Sequence, residues 1–205
     1  MKILAIDTSG KVASVALAED GRFLDTIEKN TNLSHSQAVL PVCMELLEKN
    51  GLALKDIDCF ATVVGPGSFT GLRIGIAAAK GFAMMLDKPL VGVSSLECVA
   101  YESGIDGRVC ALIKSREKEY FFGVYEITRE RTETLEEGFT DNINALKEKY
   151  PQAVVVEGES RAKNAALLAY YHFINKTRES DVHSVNPVYL KLSQAERMKM
   201  QENNK

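Results

Sequence analysis

The sequence predicts an α/β protein of two mixed sheets flanked by helices, the second smaller than the first. Three observations predict it. From Lys2 to Val93 the pattern runs strand, strand, strand, helix, strand, helix, strand, and a meander continued by alternating helix and strand makes a mixed sheet with helices packed on it. A turn-rich break follows at Ser103-Gly104-Ile105-Asp106-Gly107. Beyond it strands, a helix, a strand and a helix recur as a truncated echo. The expected division is residues 1–103, residues 104–192 and a polar tail at 193–205.

The elements follow in order. Lys2–Asp7 reads as a buried strand. Lys11–Ala18 alternates, with Val12, Ser14, Ala16 and Ala18 on one side and Ala13, Val15 and Leu17 on the other. Glu19-Asp20-Gly21 is a hairpin turn signal, and Phe23–Glu28 is the third strand. A polar loop, Lys29–Leu33, leads to a helix capped by Ser34 or Ser36 and ending at Asn50-Gly51. Pro41 inside it predicts a kink or a start nearby. Phe60–Val64 is a buried strand, Ile76–Leu86 a helix and Leu90–Val93 a strand. In the second half Arg108–Ile113 and Tyr120–Ile127 are strands, Thr132–Glu137 a weaker one, Asp141–Tyr150 a short helix, Ala153–Val156 a strand and Ala162–Phe173 a helix.

Bulk composition narrows the function. The chain has 205 residues, 45% hydrophobic and 26% charged, with 25 Lys and Arg against 28 Asp and Glu. A net charge of −3 is no electrostatic footprint for nucleic acid, which needs a basic face. Cys43, Cys59, Cys98 and Cys110 form no C-x-x-C pair and sit in apolar company, as buried structural cysteines do. No secretory signal is read at Met1, and no apolar run is read as long enough to cross a bilayer, so the expected location is the cytoplasm.

The stretch Gly65-Pro66-Gly67-Ser68-Phe69-Thr70-Gly71-Leu72-Arg73-Ile74-Gly75 joins a buried strand to a helix. Such a corner either presents backbone N–H groups to an anion or lets two backbones approach closely. It is not a phosphate-binding P-loop, because no Gly-Lys-Ser/Thr follows. Asp7-Thr8-Ser9 at the end of the first strand could hold a metal-bound phosphate, or it could form an ordinary Asx-type turn. His35, His172 and His183 make no local metal pair, since the position four residues after His35 is Val39. The helix after the corner is small or apolar nearly all round, and the preceding one (Ala38, Val39, Leu40, Val42, Cys43, Leu46, Leu47) is similarly over-apolar. That pattern fits a protein partner or a deep intramolecular core equally well.

Taken together, these residues are recognisable. The run Gly65–Gly75 resembles the signature of the bacterial TsaB (YeaZ) family of tRNA threonylcarbamoyladenosine biosynthesis proteins. Ile6-Asp7-Thr8-Ser9, Leu33-Ser34-His35-Ser36, Val91–Leu96 and Pro187-Val188-Tyr189-Leu190 match the same family over most of the length. Lys114-Ser115-Arg116 departs from it, standing where an Asp-Ala-Arg segment often opens a hairpin. The resemblance implies an actin/Hsp70/sugar-kinase-like fold with two RNase H-like subdomains, the second truncated.

It also implies a non-catalytic subunit that binds the paralogue TsaD. TsaD attaches threonylcarbamoyl to adenosine 37 of tRNAs reading codons that begin with A, and the ATPase TsaE joins the assembly. The implied docking residues are His35, Val39, Val42, Cys43, Leu46, Gly71, Leu72, Gly75, Ile76, Ala79, Phe82 and Ala83. A homodimer of the isolated chain is implied on the same helices. Contact with tRNA is expected to be indirect, and no membrane is involved. No cofactor of its own is expected, with ATP and Mg²⁺ engaged only within a complex and Asp7, Thr8 and Ser9 as a vestigial nucleotide site. The alternative is a nucleotide-binding ATPase or a peptidase-like enzyme with its own activity.

Overall fold

Strands β1 (Lys2–Asp7), β2 (Val12–Glu19), β3 (Arg22–Asn30), β4 (Cys59–Gly65) and β5 (Leu90–Ser94) form one sheet in the order β3-β2-β1-β4-β5. The coordinates are a computed structural model that describes residues 1–30, 35–128 and 131–191, the side chains of 35–38 excepted. β1 pairs antiparallel with β2 and parallel with β4, and β5 extends β4 in parallel. Ile3 to Asp7 are all buried. Successive side chains of a strand point to opposite faces, so both faces of this sheet are covered.

Helices α1 (His35–Lys49) and α2 (Phe69–Leu86) cover one face. The other is covered by α5 (Ala162–Asn175) from the far end of the chain. The registers distinguish the two sides. Ile6 lies beside Thr62, and both approach Gly75 of α2. Asp7 lies beside Ser14, whose Oγ accepts the Ala162 N–H at the start of α5 at 2.9 Å. α1 runs through Pro41 as one element, with Pro41 on its exposed side. The predicted Ser34 and Ser36 caps lie outside what is described.

The second sheet has the order β8-β7-β6-β9, from β6 (Gly107–Arg116), β7 (Glu119–Thr128), β8 (Arg131–Thr140) and β9 (Val154–Glu157). Helix α3 (Ser95–Glu102) packs Leu96, Val99 and Ala100 against Val109, Ala111, Tyr125 and Ile127 on one face. Helix α4 (Ile143–Lys149) packs Leu146 against Cys110, Leu112, Phe122 and Val124 on the other. β8 is a full ten-residue strand rather than the weak one expected.

Two features correct the expected division at residue 103. α3, which the sequence pattern does not announce, precedes the break yet covers the second sheet. α5 follows the break yet covers the first. The lobes are therefore interleaved in sequence. After α5 the chain returns as a strap. Leu90 N–H donates to the Ser180 carbonyl at 3.0 Å and Val188 N–H to the Val64 carbonyl at 2.8 Å. Leu190 then packs into the second lobe, where Lys191 pairs with Glu119. The expected tail at 193–205 lies outside the described residues.

One expectation about membranes is also corrected. Among the described residues α2 is long and apolar enough, by length and composition, to cross a bilayer. Its position explains the composition: Gly71, Leu72, Gly75, Ile76, Ala79 and Ala83 are buried against the first sheet. An outer helix whose inner side fills a core needs apolar residues on that side without any lipid.

Candidate functional site

The glycine corner is built for close approach. Ser68 caps α2, its Oγ accepting the Gly71 N–H at 3.2 Å. The Ser68 N–H itself donates to the Ser9 carbonyl at 2.7 Å. Thr8 Oγ1 donates to the Gly71 carbonyl at 2.6 Å. A Cβ on Gly67 would stand 2.6 Å from the Ser9 carbonyl oxygen, and one on Gly71 or Gly75 would overlap the Thr8 carbonyl or Thr8 Oγ1. The corner thus presses the first turns of α2 onto the β1–β2 turn. Two of the N–H groups that an anion would need are already engaged.

A cleft of about 1250 Å³ opens between the lobes. Ser9, Lys11, Pro66, Gly67 and Ser68 line it from the first lobe and Ile113, Lys114, Ser115 and Phe121 from the second, with the Glu157–Ser160 loop closing one side. Of the expected nucleotide residues only Ser9 reaches its lining. Thr8 is spent on Gly71. Asp7 is 1% exposed and points to the α5 side of the sheet; its Oδ1 accepts the Ser9 N–H at 2.8 Å, an Asx-type turn, and its Oδ2 has no partner. Of the two sequence readings of Asp7-Thr8-Ser9 the Asx-type turn forms, and the second carboxylate oxygen of Asp7 is buried beside it.

The expected docking residues divide differently from expectation. Val39, Val42, Cys43, Leu46, Leu72, Ile76, Ala79 and Ala83 are buried among the first-sheet core, and Gly71 and Gly75 face Thr8. Phe82 is half-buried, with its ring 5.8 Å from that of Phe60. The buried ones among these residues hold the chain to itself. The His35 side chain lies outside the described residues. The same helices leave other apolar residues outward: Leu40 and Met44 on α1, Met84 and Met85 on α2, 43% to 66% exposed, with Ala77 and Gly81 between. The sequence did carry a signal for the inner side. Gly71, Gly75, Ala79 and Ala83 repeat every fourth residue, the row on which a helix comes closest to its support.

A polar junction ties the lobes together. Glu97 on α3 is 1% exposed and meets His172 Nε2 of α5 at 2.8 Å, Arg178 of the strap at 2.9 Å and Thr132 Oγ1 of β8. Burial pushes its carboxyl up, yet the hydrogen bond and charge of His172, with Arg178 and Thr132, hold it below the ordinary value of 4.5. Nearby, Ser94 at the end of β5 shares the Glu137 carboxylate with Tyr125. The four cysteines are buried and unbridged, and burial pushes the Cys43 and Cys59 thiols up to about 12.

A family model for TsaD, the tRNA N6-adenosine threonylcarbamoyltransferase, matches residues 28–195. The tRNA threonylcarbamoyladenosine biosynthesis protein TsaB of Escherichia coli is 39% identical over 132 residues, covering 62% of this chain but only 55% of that protein. The TsaB protein of Bacillus subtilis is 29% identical with 96% of each chain covered. In structure, YeaZ from Pseudomonas aeruginosa superposes with a TM-score of 0.76 at 29% identity, over 92% of this chain and 99% of that one.

Proposed function

The chain belongs to the TsaB (YeaZ) family within this wider threonylcarbamoyltransferase group, and on that premise we propose that it is a non-catalytic subunit in tRNA threonylcarbamoyladenosine biosynthesis. It binds the transferase TsaD in the cytoplasm and enables threonylcarbamoyl transfer to adenosine 37 of tRNAs reading codons that begin with A. TsaE joins the same assembly, and tRNA touches this chain only indirectly. The observation that carries the reading is the outward apolar face of α1 and α2, where Leu40, Met44, Met84 and Met85 stand exposed over a buried inner face. Exposed apolar side chains gathered on neighbouring helices suit a partner protein. The isolated chain pairs with itself over that face, so the homodimer and the TsaD complex compete.

Val39 supports the non-catalytic part. It stands where a second helix histidine would complete a metal pair, and it is 1% exposed within the core. Reconstitution tests the proposal. Purified TsaD, TsaE and threonylcarbamoyl-adenylate with a cognate tRNA should modify adenosine 37 only when this chain is added. A reaction indifferent to the chain would sink the reading.

A second reading rests on the cleft, which has room for a nucleotide and places Lys114, Ser9 and Ser68 around it. On this reading the chain turns over ATP by itself. Calorimetry of the isolated chain with ATP and Mg²⁺ separates the two: tight binding with turnover, lost in Asp7→Asn, would favour an enzyme.

A further inference from the structure

Arg73 stands on the exposed first turns of α2, at the end of the outward face nearest the cleft. Its guanidinium carbon lies 3.9 Å from the centroid of the Phe69 ring and 5.9 Å from that of Tyr189. Its Nε donates to the Tyr189 hydroxyl at 3.0 Å. The two rings stack, with centroids 4.8 Å apart and planes 25° from parallel. The strap brings Tyr189 there. Gly65, at φ +120°, is what admits it, since a Cβ would meet the Val188 carbonyl oxygen at 2.5 Å. Phe69 and Tyr189 remain 43% exposed, and among the described residues the contacts of the Arg73 guanidinium are with these two rings and the Tyr189 hydroxyl rather than with a carboxylate.

A guanidinium fixed by two rings and a hydrogen bond has little rotamer freedom left to lose on binding. Its outer N–H edge suits a planar oxyanion with two acceptor oxygens. Buried arginine and aromatic side chains beside apolar contacts are the usual energetic centre of a protein interface. The surroundings favour protein over RNA. From Arg73 the outward face continues through Ala77, Gly81 and Met84, with Lys80 the one other cation of α2, and the neighbouring α1 exposes Glu45 and Glu48. Phosphates need several cations together.

Resting on the docking reading above, we propose that Arg73, pre-oriented by Phe69 and Tyr189, anchors that face by binding an Asp or Glu carboxylate of the partner protein. The strap thereby becomes part of the docking surface, because its Tyr189 sets the angle of the guanidinium.

The test measures affinity for TsaD by calorimetry at two salt concentrations, with circular dichroism to confirm folding. Arg73→Ala should weaken binding about tenfold and flatten its salt dependence. Tyr189→Phe keeps the ring and loses the hydroxyl, and should weaken binding about twofold to threefold. Met84→Asp serves as control for the face itself. If Met84→Asp loses binding while Arg73→Ala and Tyr189→Phe bind like the parent, the anchor is wrong and the docking face stands. If the parent chain does not bind TsaD, both fall. If Arg73→Ala instead loses only retention of tRNA in a gel shift, the guanidinium serves a phosphate and the carboxylate assignment is overturned.

Discussion

Thr8 Oγ1 donates its hydrogen bond to the main-chain carbonyl of Gly71, 63 positions further along the sequence, at 2.6 Å. The same hydroxyl occupies the space a side chain at Gly75 would need. One threonine at the end of β1 therefore explains two glycines of α2.

Gly75→Ala should destabilise the chain by about 1–3 kcal/mol, the usual cost of forcing an extra methyl into a filled site. Urea denaturation measures it. Thr8→Ala removes the obstructing hydroxyl, so the double variant should lose less than the sum of the single losses. Strict additivity would mean that Thr8 and Gly75 do not meet as described.

Glu97 predicts an acid limb. Its folded carboxyl sits below the value of 4.5 it has when free, so its contribution to stability is complete above that value. The contribution fades as pH falls through the lower folded value, because the unfolded chain then binds the proton more readily. Denaturation midpoints between pH 6 and pH 3 should fall for the parent chain. They should fall less steeply for Glu97→Gln, which starts lower because His172 and Arg178 lose their charged partner.

The cysteines should be inert in the native state. With Cys43 and Cys59 at about 12, Cys110 at about 11 and Cys98 well above the ordinary value, almost no thiolate exists at neutral pH. A thiol-reactive chromophore added at pH 8 should label none of the four until denaturant is present. Fast labelling in buffer would contradict their burial.

The outward face and the inner face of α1 should answer mutation differently. Leu40→Asp, at a position 49% exposed, should leave stability within about 0.5 kcal/mol and abolish association with a partner. Val42→Asp places a carboxylate in the first-sheet core and should unfold the chain. Thermal melting beside a pull-down separates the two. Equal loss of stability in both would show that α1 has no free face.

Much of this was legible in the residues. Alternation in Lys11–Ala18, the Asp-Gly turn and the apolar Phe60–Val64 run correspond to β2, its hairpin and β4. The glycine corner was legible as a junction, but its two uses were not separable, because the atoms that fill the space belong to Thr8 and Ser9, far away in sequence. α3 escaped because its eight residues follow β5 without an intervening turn, and it has buried residues on every side, Glu97 included. The docking residues expected from the sequence fall on the inner sides of α1 and α2 because helices apolar all round carry no orientation of their own. Burial by β1 and β4 supplies it.

The covering of the first sheet by α5 has a consequence for biosynthesis. The strands β1 to β5 leave the ribosome early, yet one whole face of their sheet waits for residues 162–175. Until then Ala5, Ala16 and their neighbours have no cover, and the nascent chain must rely on delay, chaperones or both. Truncations that end before α5 should accumulate as aggregates rather than as a smaller native lobe, and an early stop codon would be as damaging as a deletion of the whole gene.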